Sequence, residues 1–226
     1  EQILKLSYYN SFFKTNNIQT AELSEKLSKI TPKGLSHSFF ANSGSEANDT
    51  IIRMVRHYWN LEGQAYKRKI IGREYGYHGS TIMSASMGGM VDMHNQSANE
   101  ADFYHIPAPY SFKYQGNQSN ELFSETTSAW LEEKLIEVGP ENVAAFVAEP
   151  VLASGGVIIP PKDYHKMTWE VCKQYNVLYI SDEVVTGFGR LGHWFASEQV
   201  FDFVPDIITC AKGLTSGYIP MGATII

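Results

Sequence analysis

Several things are scarce in this 226-residue chain, and each scarcity argues against a class of function. Only two cysteines occur, Cys172 and Cys210, each inside an apolar stretch, which fits buried reduced thiols better than a disulfide framework or a zinc site. No run approaches the roughly 20 apolar residues of a membrane helix, and the opening Glu1-Gln-Ile-Leu-Lys5 is not built like a signal peptide. No membrane association is expected, and the cytoplasm is the default setting. Lys and Arg total 18 against 24 Asp and Glu, a formal charge of −6, and the basic residues are scattered. Neither a nucleic acid nor an anionic lipid surface is an expected partner, whereas a small molecule is. The chain also lacks a Gly-x-x-x-x-Gly-Lys-Ser/Thr loop, an internal repeat, a low-complexity tract and a domain linker.

Apolar and aromatic residues are plentiful, at 43% and 13%, enough for one large domain or two small ones. Short apolar runs alternate with longer amphipathic stretches, which predicts an α/β fold: a mainly parallel sheet with flanking helices. Helices are expected near 20–30, 46–61, 79–87, 119–138, 161–175 and 194–200. Strands are expected near 36–41, 68–72, 103–106, 143–148, 177–181, 206–210 and 221–226. Gly88 to Gly116, rich in Asn, Ser, Tyr and Pro and without clean periodicity, reads as a long loop with one short strand. Both ends read as cut, since no start signal opens the chain and Met221 to Ile226 has the pattern of a buried strand's interior. A longer parent protein is therefore expected.

Chemistry concentrates where apolar runs end. Lys212 follows Ile207-Ile-Thr-Cys-Ala211 and precedes Gly213, at a strand-to-helix junction, where open α/β sheets hold ligands. Asp182 ends a similar run, Asn176-Val-Leu-Tyr-Ile-Ser181. A lysine able to form a Schiff base and an acid able to hold a pyridinium nitrogen are the protein groups pyridoxal phosphate chemistry most needs. Burial and a nearby cationic ring are expected to lower the lysine's pKa, and the freed amine could shuttle a proton. An ionised Asp182 would keep the ring nitrogen protonated. If strand geometry persists past it, Val184 points to the same side and packs on a ring face.

Four further features accompany this pair. Asn42-Ser-Gly-Ser-Glu-Ala-Asn-Asp49 runs from an apolar strand into a helix, so Gly44 and Ser45 could offer backbone N–H groups and a hydroxyl to a phosphate, with Glu46 as a first-turn acid. An ordinary serine-capped helix start fits the same residues. Gly76-Tyr-His-Gly79 could lay Tyr77 flat on an aromatic cofactor, or the ring could simply pack a loop; His78 reads as structural, with a bond to an acid as the alternative. Glu149 precedes Pro150, which forbids strand continuation, so it too points to the carboxyl edge of the sheet, as a site acid or a loop acid.

In order, these motifs, together with Gly155-Gly-Val-Ile-Ile-Pro-Pro161 and Ala211-Lys-Gly-Leu-Thr-Ser-Gly-Tyr-Ile-Pro-Met-Gly-Ala223, resemble the class III pyridoxal-phosphate aminotransferases of fold type I. The resemblance covers nearly the whole chain and implies roles: Gly44 and Ser45 on the cofactor phosphate, Tyr77 and Val184 on the ring faces, Asp182 on the ring nitrogen, Glu149 beside the cofactor, and Lys212 as the Schiff-base lysine. Val185 stands where ornithine- and 4-aminobutyrate-type members usually carry glutamine, so the resemblance leans to ω-amino acid:pyruvate-like transaminases using amine and keto-acid substrates. It further implies a homodimer with a shared site, a carboxylate-binding arginine in a C-terminal domain, and a partner-subunit threonine at the phosphate, the last two outside this chain. Residues 1–226 are accordingly expected to be a partial cofactor-binding large domain with little activity alone. An aminomutase or racemase on the same fold, and a truncated non-catalytic remnant, are the competing readings.

Overall fold

The computed structural model describes residues 1–6, 8, 15–96 and 98–226. In chain order its elements are α1 (Gln2–Lys5), α2 (Ile18–Ser28), β1 (Ser38–Ala41), α3 (Gly44–Leu61), β2 (Lys69–Arg73), α4 (Ile82–Met87), α5 (Val91–His94), β3 (Phe103–Ile106), α6 (Ser111–Tyr114), α7 (Asn120–Val138), β4 (Val143–Ala148), α8 (Tyr164–Gln174), β5 (Leu178–Asp182), α9 (Ala196–Phe201), β6 (Ile207–Cys210) and β7 (Gly222–Ile225). The strands form one sheet in the order β1-β7-β6-β5-β4-β2-β3. Every neighbouring pair from β6 through β3 is parallel, and β7 alone runs against both of its neighbours.

The central strands are buried on both faces, which is why they read as unbroken apolar runs. In β4 all six residues, Val143 to Ala148, are buried, and from Ala145 onward they alternate between two layers. Phe146 and Ala148 join Leu131 and Leu135 of α7 and Cys172 of α8, while Ala145 and Val147 join Ile51, Ile52, Val55 and Trp59 of α3. A third cluster joins Leu27 of α2, Leu35 and Phe195 to Ile208, Cys210, Ala223 and Ile225 beneath the β6–β7 end.

All seven expected strands are present, two with the expected ends and the others with ends moved by one or two residues, and the predicted helices are present as well. Helices near 79–87 and 161–175 start three residues late. Thr81 accepts a bond from Ser84 N–H and caps α4, and the expected start at Pro161 gives way to an N-cap at Asp163. Three four-residue helices, α1, α5 and α6, were not foreseen; α5 and α6 lie in the stretch read as a loop, which contains Ser97, outside the described residues. One turn of helix is too short to show a 3.6-residue period. Both cysteines are free and buried, and burial raises both thiols' pKa values.

Candidate active site

The carboxyl ends of β2, β4, β5 and β6 and the amino end of α3 surround one cavity of about 180 Å³. It is lined by Gly44, Ser45, Tyr77, Glu149, Asp182, Val184 and Lys212, all seven of the singled-out residues, and also by His78, Ser154 and Val185. Their convergence follows from topology, since parallel strands deliver their ends to one edge.

The floor is polar and dry. Asp182, the last residue of β5, is 3% exposed. Its Oδ2 accepts from His78 Nδ1 at 2.7 Å and from Asn48 Nδ2 at 2.9 Å, and its Oδ1 accepts from Val184 N–H at 3.1 Å. Three donors thus meet a carboxylate that can accept about four, which leaves Oδ1 one acceptor position. Asn48 Nδ2 also donates to the His78 carbonyl at 2.6 Å, so α3, the Tyr77–Gly79 loop and β5 are joined through one amide. Its Oδ1 is buried with no partner, an unsatisfied group kept for the sake of the other two bonds.

Glu149 is 4% exposed and bonds to main chain: Oε1 accepts from Tyr77 N–H at 2.9 Å and Oε2 from Ala153 N–H at 3.0 Å. It holds two walls of the cavity, the Tyr77 loop and the turn that carries Ser154. Burial pushes its pKa up; the neighbouring His78 pulls it back, Asp182 adds to the rise, and the Tyr77 amide and Arg73 oppose it. The fully buried Arg73 guanidinium donates through Nη2 to the Glu149 carbonyl from below.

At the amino end of α3, Ser43 is the N-cap; its Oγ accepts from Glu46 N–H at 3.1 Å, and Glu46 Oε2 accepts from Asn42 N–H at 2.9 Å. Glu46 is thus occupied locally, while the N–H groups of Gly44 and Ser45 have no acceptor within the helix. Ser45 Oγ accepts from Ser80 N–H at 3.1 Å, which leaves its own proton free to donate. A Cβ at residue 44 would lie 3.1 Å from a Val184 methyl, and a Cβ at Gly79 only 2.7 Å from Ser45 Oγ. Both glycines keep the cavity open.

The opposite wall differs in kind. Lys212 begins a short 3-10 turn after β6, with φ of +37°, and its side chain is exposed in the single chain, not buried as its sequence context suggested. Burial depends on what covers this edge of the sheet, which no local pattern records. A second correction concerns Val184. The strand ends at Asp182, so strand alternation does not reach Val184; a turn held by the Asp182 Oδ1 bond carries it to the cavity instead. A third concerns His78, whose bond to Asp182 makes it part of the floor rather than an independent structural histidine. Asn48 was missed altogether, although its place among Ala47, Ile51 and Ile52 on the buried face of α3 is the one signal that could have marked it.

Fold and cavity together define a cofactor-binding sheet with a lysine and an acid on adjacent strand ends. The chain belongs to the class III aminotransferases, whose family model matches residues 1–226. It is 47% identical over 230 residues to a putrescine–pyruvate aminotransferase from Pseudomonas aeruginosa, covering 100% of this chain and 49% of that protein. It is 42% identical over 229 residues to a probable gamma-aminobutyrate transaminase 2, mitochondrial, from Oryza sativa subsp. indica, covering 100% of this chain and 46% of that one. Among solved structures, the omega transaminase from Pseudomonas jessenii in complex with PMP matches with a TM-score of 0.96 and 39% identity, over 100% of this chain and 50% of its own. The chain therefore spans about half the length of the relatives it matches.

Members of this family depend on pyridoxal phosphate, and the residues present suit it. The cavity joins unpaired helix-start N–H groups and a free hydroxyl proton at one end to a carboxylate with one open acceptor position at the other, with an amine on the adjoining wall.

Proposed function

We propose that this chain is the cofactor-binding half of a transaminase that moves an amino group from a primary amine or ω-amino acid to a keto acid such as pyruvate. The observation that carries the reading is the meeting of Lys212, Asp182, Tyr77, Val184, Glu149, Gly44 and Ser45 around one small cavity. The putrescine–pyruvate aminotransferase at 47% identity supports a diamine or ω-amine donor with pyruvate as acceptor. The apolar Val185 on the cavity wall fits the same lean.

Bound pyridoxal phosphate supplies an aldehyde that takes up amino groups and a ring that draws electrons from the substrate carbon. In this reading the Gly44 and Ser45 N–H groups and the Ser45 hydroxyl bind the phosphate. Asp182, held by His78 and Asn48, would keep a proton on the ring nitrogen. Tyr77 and Val184 pack the ring faces, and Glu149 fixes the main chain on which Tyr77 stands. The Lys212 amine would hold the cofactor through its aldehyde and, when free, would be placed to move a proton from the substrate carbon to the cofactor carbon.

We assign turnover to a homodimer of the longer protein. Phe112, Tyr218 and Ile219 are 94%, 89% and 55% exposed, apolar area that fits a covering subunit. Two buried free thiols fit a reducing compartment such as the cytoplasm. The test is to mix the purified protein with pyridoxal phosphate, reduce with borohydride and map the adduct by mass spectrometry. Modification confined to Lys212 is the expected result, and reduction that leaves Lys212 unmodified defeats the assignment. Alanine formation that requires both an amine donor and pyruvate separates transamination from a mutase, which needs no acceptor.

A further inference from the structure

We infer that Glu183, which no step above uses, is the positioning residue for the Lys212 wall: it ties off the loop 184–195, which holds Val184 at one end and backs the lysine turn at the other. The inference rests on reading Lys212 as the residue that links the cofactor.

Glu183 is 0% exposed, yet it stands directly after Asp182. Its main chain continues the sheet, with N–H donating to the Thr209 carbonyl at 2.8 Å and its carbonyl accepting from Gly187 N–H at 3.0 Å. Its side chain meets the far end of the loop. Oε2 accepts from Ala196 N–H at 2.7 Å and from Thr186 Oγ1 at 2.9 Å, and Oε1 accepts from Ser197 N–H at 2.9 Å. Ala196 and Ser197 open α9, whose N-cap, Phe195, gives no side-chain bond. Glu183 therefore caps α9 from thirteen residues upstream. A serine at position 195 would cap the same helix without burying a carboxyl group. What the distant acid adds is closure of the loop at both ends.

The loop passes that closure to the cavity. Inside it, Phe188 N–H donates to the Trp194 carbonyl and Gly189 N–H to the His193 carbonyl, at 2.6 and 2.9 Å, and the Phe188 and Phe195 rings meet edge to face at 5.4 Å. Phe188 lies flush on the lysine turn, since a Cβ at Gly213 would come within 2.8 Å of Phe188 Cβ. Among the described residues the turn is hydrogen-bonded within itself, as by Leu214 N–H to the Ala211 carbonyl and Gly217 N–H to the Lys212 carbonyl. At the other end Val184 sits 3.1 Å from the position a Cβ on Gly44 would take. Loosening the loop releases two walls of the cavity at once.

The experiment compares wild type, Glu183→Gln and Thr186→Val. Glutamine keeps the shape but replaces one oxygen with an NH2 that cannot accept from an α9 amide, whereas the threonine change leaves both α9 amides bonded. In cofactor-free protein, amide hydrogen exchange in Glu183→Gln should rise at 184–195 and at 212–217 while β4 and α7 hold. Labelling of Lys212 by pyridoxal phosphate and borohydride should slow by about ten- to a hundred-fold, the scale expected of a displaced reacting group. Thr186→Val should follow wild type in both. An exchange rise confined to α9, with unchanged labelling, overturns the inference and leaves the Lys212 assignment standing. If wild type itself fails to label, that assignment falls, and exchange at 212–217 still decides whether Glu183 holds the turn. Should Glu183→Gln not fold, Gly213→Ala tests the same contact from the lysine side; slowed labelling with raised exchange at 184–195 is expected, and wild-type behaviour refutes the coupling.

Discussion

The floor of the cavity and its lysine wall are built by opposite means. On the floor, Asp182, His78 and Asn48 are nearly inaccessible to solvent and bonded across 104 and 134 residues of chain, so folding itself fixes their geometry. On the wall, Lys212 is exposed, has a φ of +37° and sits in a turn hydrogen-bonded within itself and backed by Phe188. In the proposed reading, groups that keep one orientation are pre-set by a dry polar network, while the group that lets go of one partner and takes another is left with room to move.

The sharpest way to break this comparison is to remove one group from each side. Lys212→Ala should abolish borohydride-trapped adduct while leaving stability within about 0.5 kcal/mol, as for an exposed side chain. Asp182→Asn should keep the adduct but cost about 1–3 kcal/mol of stability, because an amide cannot accept from all three donors, and should lower turnover of the full-length dimer about 10²–10³-fold. Urea melts, adduct mapping and single-turnover rates read all three. Equal stability losses in the two variants would erase the contrast.

A second test uses pH on the packed layer behind the floor. His165 is fully buried, bonded to the Tyr179 hydroxyl at 2.8 Å and the Pro150 carbonyl at 2.9 Å, and burial with the nearby Arg73 lowers its pKa to about 3. A depressed histidine pKa means the unfolded chain binds a proton that the folded chain refuses. Stability is lost as pH falls below the ordinary value of 6.5 toward 3, and from pH 7 to 5 the loss from this group is about 2 kcal/mol. His165→Gln, which can keep both bonds, should lose that much less over the interval. Glu149 and Glu183, raised by burial, act with the opposite sign and cancel in the difference between the two proteins.

The smallest effect is expected at Tyr77, half-buried at the cavity and held through its backbone N–H. Tyr77→Phe should bind pyridoxal phosphate like wild type, and Tyr77→Ala should bind it weaker by about 0.5–1.5 kcal/mol, the value of one ring contact. A fluorescence titration distinguishes the two, and a large loss in the phenylalanine variant would mean that the hydroxyl has a role in binding.

What the sequence disclosed, and what it hid, follows from the range of the interactions. Strand ends were legible because parallel strands buried on both faces appear as apolar runs, and residues just past them, such as Lys212 and Glu149, announce themselves by interrupting the run. The Asp182 floor was only half legible. Asn48 and His78 bond to it from elements distant in the chain, and nothing local to either residue records that contact. Exposure of Lys212 was misjudged for a related reason, since an apolar approach says where a strand ends and not what lies over it. Glu183 was not singled out, because its partners, Ala196 and Ser197, bond through main chain, which carries no residue identity.

The reversed strand β7 also sets an order of assembly. It pairs Ser38 with Ile225, Thr224 bonds to the Ala47 carbonyl from 177 residues away, and Gly222 packs so close to Ser43 that any side chain there would collide with its carbonyl. The turn that presents Gly44 and Ser45 is thus shaped by the last strand of the chain. Contacts of such separation form late, because the entropy of closing the intervening loop must be met before they give anything back. A nascent chain made from its amino end can build the α7–α8 layer and most of the sheet, and still cannot finish the turn at Gly44 and Ser45 until β7 slides between β1 and β6.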